Sequence, residues 1–149
     1  FEHVIDQETA YREVARVLKP GGWFLNNFPS KWRPIEPHIF VPFGGVTRQR
    51  WWFALWAALG IRSQFQEGMS AKEVADTNHS YSIHGINYPN GKQIDDLLSR
   101  LFSINRYVET SFSRHSPGRT RHLAKPMAAF PPLAWLFRFA HTRVILSQK

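Results

Sequence analysis

The chain has 149 residues, of which 43% are hydrophobic, and it contains six tryptophans and twelve phenylalanines. This length and composition fit one globular domain with a real core and exclude a disordered segment. The chain has no cysteine, which excludes disulfides, thiolate metal sites and cysteine nucleophiles. No secretory signal is visible, so we expect a cytoplasmic protein.

The formal net charge of +8 is unevenly distributed along the chain. Residues 1–99 contain ten basic and ten acidic side chains, whereas residues 100–149 contain nine basic side chains and only Glu109 as an acid. A basic third of this kind is typical of a surface for nucleic acid, anionic lipid or an acidic substrate, and also of an ordinary solvated surface. The sequence leaves both interpretations open.

The first 29 residues predict the end of a strand, a helix, a tight turn and a second strand. Asp6 is the predicted N-cap, and Pro20 ends the helix because it has no N–H to donate. Gly21 and Gly22 allow the chain to reverse, and the run Trp23–Leu25 predicts a strand buried on both faces. The apolar stripe of the helix is predicted to consist of Ala10, Val14, Val17 and Leu18.

The same segment contains the patterns EHV-x-D, from Glu2 to Asp6, and A-x-x-E-x-x-R-V-L-K-P-G-G, from Ala10 to Gly22. Their order resembles the C-terminal half of a class I S-adenosylmethionine-dependent methyltransferase. The resemblance implies an α/β fold, namely the C-terminal half of a Rossmann-like seven-stranded sheet. The expected pieces are the end of strand 4 and strands 5, 6 and 7, the last being an antiparallel strand inserted between strands 5 and 6.

The glycine-rich loop and the acidic residue with which this family holds its cofactor are not found in the sequence. We therefore interpret residues 1–149 as a partial methyltransferase domain whose N-terminal cofactor-binding half is missing, and we expect it to be inactive alone. Helical and loop insertions are expected at about residues 30–91 and 113–141.

The resemblance implies methyl transfer from S-adenosylmethionine to a small-molecule acceptor, most often to oxygen or nitrogen. It places Phe1, Glu2, His3 and Val4 beside the cofactor. Methyl transfer is an in-line displacement, so the protein mainly positions the acceptor, and a general base helps when the acceptor is a hydroxyl. His3 and His38 are the predicted catalytic residues.

Two polar segments are expected to form the acceptor side of the site. The loop Ser30–Gly45 leaves the carboxyl end of the predicted fifth strand, the edge at which open α/β sheets bind ligands. The segment Thr77–Gly91 has no helical or strand period and is predicted to be a lid or wall. The predicted substrate-binding residues in these segments are Glu36, His38, His79, Tyr81 and His84.

A metal-dependent mechanism is an alternative. Glu2-His3 matches the last two positions of the Glu-x-x-Glu-His cluster with which some ubiquinone-pathway and small-RNA methyltransferases bind a divalent metal. The first Glu of that cluster would precede Phe1, and two ligand-type residues are weak evidence of a site. We therefore assign no metal.

The remaining elements follow from caps and periodicity. Thr47 is the predicted N-cap of a helix to Leu59, whose apolar run is too short to span a bilayer. Further predicted elements are a capping-box helix from Ser70 to about Asp76, a second from Asn90 to Leu101, a strand Arg106–Ser113, a basic loop Ser113–Lys125, a helix starting near Pro131 and a strand Thr142–Ser147.

Two functions of other classes remain as alternatives. One is an RNA- or anionic-surface-binding module that uses the basic C-terminal third, with Trp135, Phe137 and Phe139 as contacts. Nucleic acid is the less favoured partner, because no aromatic residue alternates with basic residues as in a stacking groove. Peripheral membrane contact stays open. The other alternative is a non-catalytic domain that keeps the methyltransferase fold.

Overall fold

A computed structural model describes residues 1–149 and shows an α/β chain with seven α-helices and three strands. In chain order the elements are α1 (Gln7–Val17), β1 (Trp23–Pro29), α2 (Arg50–Ala58), a 3-10 turn (Gln64–Gln66), α3 (Ala71–His84), α4 (Gly91–Leu101), β2 (Ile104–Tyr107), α5 (Glu109–His115), a 3-10 helix (Arg119–Leu123), α6 (Ala124–Ala129), α7 (Pro131–Ala140) and β3 (Thr142–Gln148).

The three strands form one sheet in the order β1-β3-β2. The last strand pairs antiparallel with both neighbours: Trp23 lies opposite Gln148 on one side, and Ile104 lies opposite Gln148 on the other. β1 and β2 are therefore parallel to each other, with β3 inserted between them. This confirms the predicted place and direction of the terminal strand within a three-stranded sheet.

The main core lies where α1 and α4 cover one face of the sheet, around Tyr11, Phe28, Leu98 and Ile145. The predicted stripe of α1 was wrong in detail, because Val17 is 66% exposed while Tyr11 and Ala15 are buried. The buried face follows the helical spacing 11, 14, 15 and 18. Tyr11 belongs to it because the buried Asn26 amide donates a hydrogen bond to its hydroxyl.

β1 is covered on one face only, which corrects the expectation of burial on both. Asn26 and Phe28 are buried, whereas Trp23 and Leu25, which point to the opposite face, are each about half exposed. The alternation is that of a half-buried strand. Asp6 caps α1 as predicted, by accepting from the Thr9 amide, and Gly21 turns the chain at φ +76°.

α2 and α3 pack against each other beside this sheet through Phe53, Ala57, Val74 and Ala75. α2 begins at Arg50 with Gln49 as its N-cap, so the predicted cap at Thr47 was wrong. None of the helices is long and apolar enough to cross a membrane.

α3 begins at the predicted capping box, in which the Ser70 amide donates to Glu73 at 2.8 Å. It continues to His84, so the predicted end at Asp76 and the prediction of no regular structure over Thr77–His84 were wrong. The reason is that polar side chains, Asn78 and Ser82 among them, occupy its buried face.

Two other predictions near the C-terminal half need correction. Asn90 caps α4 by accepting from the Lys92 amide, but its capping box does not form. β2 ends at Tyr107, and the residues predicted to extend it form α5. The helix begins at Glu109 because that buried carboxylate is held by Arg138 of α7.

The segments that follow β1 and β2 meet at one edge of the sheet. The Ser30 amide donates to the His141 carbonyl at 2.9 Å, and the rings of Trp32 and Phe139 stack with centroids 5.8 Å apart. The Ser30–Gly45 loop and the helices between β2 and β3 thus share the carboxyl end of β1.

Candidate functional site

The N-terminal segment is held against the loop between α3 and α4. The Asn87 amide donates to the Glu2 carbonyl at 2.6 Å, and its side-chain amide donates to the Val4 carbonyl at 2.9 Å. Gln7 donates back to the Asn87 carbonyl at 2.6 Å. These bonds fix the backbone of Glu2 and His3 next to the end of α3.

His3 is oriented by a backbone carbonyl. Its Nδ1 lies 2.7 Å from the carbonyl oxygen of Gly85, and because that oxygen only accepts, Nδ1 carries the proton in the neutral ring. Nε2 is then the free acceptor of the imidazole, and it lies 3.8 Å from Glu2 Oε1.

Glu36 is the most heavily hydrogen-bonded side chain of the Ser30–Gly45 loop, and it is only 1% exposed. Oε2 accepts from the backbone amides of His38 at 2.7 Å and Ile39 at 2.8 Å. Oε1 accepts from His38 Nδ1 at 2.8 Å and from the Tyr88 hydroxyl at 2.5 Å. The carboxylate therefore keeps the proton of His38 on Nδ1 and leaves Nε2 free.

Three rings meet around these free nitrogen atoms. The centroids of His3 and His38 are 4.9 Å apart, and those of His38 and Tyr81 are 5.8 Å apart. Burial, and after it the negative charge of Glu36, raises the pKa of Tyr81 well above its usual range. Burial and the hydrogen bond to Glu36 raise the pKa of Tyr88 in the same direction. Both phenols are neutral near pH 7.

Two cavities adjoin this group. The larger, of about 580 Å³, opens between the segments Pro37–Phe40 and Ser63–Gln66 and the middle of α3, and both His38 and Tyr81 line it. The second, of about 330 Å³, lies at the carboxyl end of β1 and is lined by Glu2, Arg33 and His141 among others. His38 thus lies at the cavity beside α3 and Glu2 at the cavity at the sheet edge, and His3 lies next to both residues.

The structure brings some of the predicted residues together and leaves others apart. Glu2, His3, His38 and Tyr81 form one group. Val4 adds only its backbone carbonyl to the bonds that fix this segment. Phe1 stacks on Tyr11 with centroids 4.2 Å apart, so its ring belongs to the core.

Three predicted substrate contacts lie elsewhere. Glu36 is buried beneath His38, so it positions that histidine and is not itself open to a ligand. His79 lies edge-on to Phe53 at 6.0 Å, and His84 is exposed at the end of α3. Neither His79 nor His84 lines the larger cavity, and their substrate role remains an untested prediction.

Three residues that the geometry makes important carry little or no signal in the sequence. Tyr88 and Asn78 belong to the polar stretch after Thr77, and that composition was their only signal. Gln66, whose amide donates to Asn78 Oδ1 at 2.7 Å, carries no sequence signal at all, because its partner lies on another element.

The group also contains the residues that would hold a divalent metal ion. One ligand atom each of Glu2, His3 and His38 lie within 4.8 Å of one another. Both histidines have Nδ1 anchored to an oxygen, as metal-ligating histidines usually do, and two imidazoles with one carboxylate suit zinc or iron. The same anchoring also serves a histidine base, so the arrangement fits either use.

Some of the cations in the basic C-terminal third already form contacts within the protein. Arg138 pairs with Glu109 at 2.8 Å, Arg143 donates to the Pro89 carbonyl at 3.1 Å, and Lys149 donates to the Leu18 carbonyl at 2.9 Å. These three cations are structural. The cations around the 3-10 helix, Arg114, Arg119, Arg121 and Lys125, form no ion pair.

Comparison with known proteins gives one match. A family model described as a methyltransferase domain matches residues 1–26, the segment that contains Glu2, His3 and α1. No curated protein and no solved structure matches the chain. Over this short stretch, the chain is similar to a methyltransferase domain.

Proposed function

We propose that this chain is the acceptor-side half of a methyltransferase that moves a methyl group from S-adenosylmethionine to an oxygen or nitrogen of a small molecule. The observation that carries the proposal is the Glu36–His38 pair, which presents a free imidazole nitrogen beside His3 and at the wall of a cavity. This arrangement sits next to the segment that matches the methyltransferase family.

The sheet supports the proposal that these residues are part of a larger domain. β1 has one edge without a partner strand, and Trp23 and Leu25 leave one of its faces half exposed. An unpaired edge beside an uncovered apolar face is where further strands add. In this proposal residues 1–149 are the partial domain, with insertions at about 30–91 and 113–141 capping the carboxyl edge.

The residues fit the cofactor only in part. Glu2 and Arg33 place opposite charges in the cavity at the end of β1, which is the place for a polar cofactor at the strand ends of an open sheet. When bound, S-adenosylmethionine supplies an electrophilic methyl group on a sulfonium.

In the proposed reaction, the acceptor oxygen or nitrogen would form the new bond to the methyl carbon as the carbon–sulfur bond breaks, with the electron pair of that bond going to sulfur. His38 Nε2 takes the proton that the acceptor loses. Glu36 stabilises the imidazolium that forms, because its carboxylate lies 2.8 Å from Nδ1. Tyr88 holds the carboxylate from the other side.

His3 is the second histidine of the site. Its free Nε2 lies 3.8 Å from Glu2, which lines the cavity at the end of β1. Its ring lies edge-on to that of His38, which lines the larger cavity. We assign it to the cofactor side and His38 to the acceptor side. His3 and His38 together remain the catalytic candidates.

The test is made on the complete protein, by calorimetric titration of S-adenosylmethionine and S-adenosylhomocysteine together with an assay of turnover. We expect wild-type protein to bind both. His3→Ala should weaken cofactor binding, and His38→Ala should keep it but lower turnover by about 10²–10⁴-fold, the usual contribution of a general base. His122→Ala, at an exposed position of the 3-10 helix, is the matched control. Absence of cofactor binding, or full activity of His38→Ala, would refute the proposal.

A further inference from the structure

One residue that lines the larger cavity has a buried polar atom without a hydrogen-bond partner. Asn78 is fully buried on α3 and lines the cavity, and its Nδ2 forms no hydrogen bond in the protein. A buried donor left without an acceptor costs about 1–3 kcal/mol. Such a donor needs an acceptor from outside the protein, which a ligand in the cavity would supply.

The identity of the free atom follows from a chain of hydrogen bonds. The backbone N–H of Ser63 can only donate, and it donates to Gln66 Oε1 at 2.9 Å. That fixes Gln66 Nε2 as the donor to Asn78 Oδ1 at 2.7 Å. The amide of Asn78 therefore cannot be flipped, and the atom that remains free is its NH₂ group.

The walls around Asn78 are largely apolar. Ile39 and Met69 contribute aliphatic surface, and the rings of Phe40, Phe65 and Tyr81 contribute aromatic surface. Phe40 adopts φ +59°, a conformation that is costly for a bulky residue and that clusters at ligand sites. A cavity of about 580 Å³ with these walls has the size and character of a small-molecule site.

We propose that this cavity binds the methyl acceptor as an apolar, ring-sized molecule with an oxygen that accepts a hydrogen bond from Asn78 Nδ2. A second heteroatom of the acceptor, or the same oxygen, faces His38 Nε2. This inference rests on the proposed function and adds the chemical class of the acceptor, with Asn78 as the residue that selects it.

The test compares two probes of similar size, 1-naphthol and 1-methylnaphthalene, in calorimetric titrations of the complete protein. We expect 1-naphthol to bind about tenfold more tightly, the equivalent of one hydrogen bond. Asn78→Leu should abolish this preference, while Ser80→Ala, exposed on the same helix, should keep it. Asn78→Asp removes the donor but retains the oxygen that Gln66 needs, so it tests the same point if the leucine variant fails to fold.

The outcomes separate this inference from the proposed function. Equal affinity for the two probes, or a naphthol preference that survives Asn78→Asp, would overturn the assignment of Asn78 even if S-adenosylmethionine still binds. Loss of cofactor binding by wild-type protein would instead refute the proposed function.

A different observation concerns the outer face of α7. Only Phe137 of this helix is buried, and its exposed residues include Trp135 and Leu136, which are 60% and 50% exposed. Trp135 stacks on Phe139 at 5.5 Å, and Phe139 stacks on Trp32 at 5.8 Å. The result is an exposed row of aromatic rings.

The row is accompanied by basic residues: Lys31 Nζ lies 5.6 Å from the centroid of the Trp32 ring, and the sequence around α7 is basic. Residues 110–149 contain seven basic side chains and no Asp or Glu. The cations of α5, the 3-10 helix and α6, among them Arg114, Arg119 and Lys125, are free of ion pairs. Exposed aromatic rings with flanking cations are typical of surfaces that bind in the interfacial region of anionic membranes.

The geometry also points to α7 and the row Trp135–Phe139–Trp32 as a surface that binds an anionic lipid bilayer without crossing it. In co-sedimentation, the complete protein should bind vesicles of phosphatidylcholine with about one fifth phosphatidylserine, bind pure phosphatidylcholine less, and lose most binding between about 0.1 M and 0.5 M salt. Trp135→Ser combined with Leu136→Ser should abolish binding, and Trp51→Ser on α2 should not. Binding to polyuridylate but not to vesicles, or self-association through this face without vesicle binding, would overturn the inference.

Discussion

His38 and Glu36 form a histidine–carboxylate pair within a single loop turn, with Nδ1 and Oε1 2.8 Å apart. The other carboxylate oxygen accepts two backbone amides of the same turn, and Oε1 also accepts from the Tyr88 hydroxyl, so the carboxylate cannot rotate without losing four hydrogen bonds. The loop thereby fixes both the direction and the tautomer of His38. This is the property that a general base requires.

Glu36→Gln should lower kcat by about 10²–10⁴-fold, as much as loss of the base itself. The two backbone amides need an acceptor, so the carboxamide oxygen takes the Oε2 position and the NH₂ group faces His38 Nδ1. Nδ1 then accepts, and Nε2 carries the proton and cannot take another. We expect the KM for S-adenosylmethionine to stay unchanged, and nitrogen NMR of the imidazole to show the exchanged tautomer.

Glu67→Gln, an exposed carboxylate on a neighbouring turn, is the control for this experiment. An active Glu36→Gln protein with the exchanged tautomer would show that His38 is not the base.

Tyr88→Phe should weaken the same pair without breaking it. The raised pKa of Tyr88, caused by burial and then by the hydrogen bond to Glu36, keeps the hydroxyl protonated and donating. Loss of a hydrogen bond to a charged group should lower the free energy of unfolding by about 1.5–3 kcal/mol, measured by urea denaturation. The loss in kcat should be smaller than for Glu36→Gln, and unchanged stability would contradict the geometry.

Local signals in the sequence predicted the starts of several helices correctly. Asp6 and Ser70 cap their helices as expected, and Pro131 begins α7. These signals succeed because a cap satisfies backbone groups within four residues of itself. The terminal strand Thr142–Gln148 also has the predicted place in the sheet.

The predictions that failed depend on contacts between distant segments. α3 continues past Asp76 because Asn78 bonds Gln66, and a buried polar face has no apolar period to detect. α5 replaces the predicted strand because Glu109 is held by Arg138, 29 residues later. Glu36 was predicted to contact the substrate. Its burial beneath Tyr88 arises only in the folded loop, so the sequence does not reveal it.

Metal dependence can be decided by chelation. We assign no metal to the reaction, because a methyl group on a sulfonium transfers without a Lewis acid and positioning supplies the main effect. Dialysis of the complete protein against EDTA should therefore leave turnover unchanged. Loss of activity that zinc restores in wild type, together with zinc binding by wild type but not by His38→Ala, would show that Glu2, His3 and His38 hold an ion.

Acid should destabilise the fold through His141. Burial, and after it the charge of Arg33, lowers the pKa of this histidine, whose ring stacks on Phe137 at 4.6 Å. The neutral form is favoured in the folded state. This contribution to stability is therefore complete above the unfolded value of about 6.5 and is lost as the pH falls through the lower folded value.

His141→Gln should remove this pH dependence. Between about pH 7.5 and pH 5, the melting temperature of wild type should fall further than that of the variant, while His122→Gln, exposed, should behave as wild type. Parallel curves for wild type and His141→Gln would contradict the burial of this ring.

Arg138 should prove essential for attaching α7 to the sheet. Its Nε donates to Glu109 at 2.8 Å, its Nη2 donates to the other oxygen at 3.2 Å, and the guanidinium lies 3.5 Å above the ring of Tyr107. Glu109 is 1% exposed. Arg138→Met leaves that carboxylate buried without its charged partner and with only the Val144 amide, 3.5 Å away, as a donor, and breaking a buried ion pair in this way costs about 3–5 kcal/mol. We expect a cost at the lower end of this range, because the Arg138 side chain is 27% exposed and water can therefore solvate the remaining carboxylate in part.

The double variant Glu109→Leu with Arg138→Met distinguishes the attraction between the two charges from the cost of burying them. Replacing both charges by apolar groups removes the desolvation penalty together with the attraction, so its unfolding free energy should return close to the wild-type value. Urea denaturation of wild type, both single variants and the double variant measures this cycle. If Arg138→Met alone were neutral, α5 and α7 would not be joined through this pair, and the helices between β2 and β3 would have to be held by apolar contacts alone.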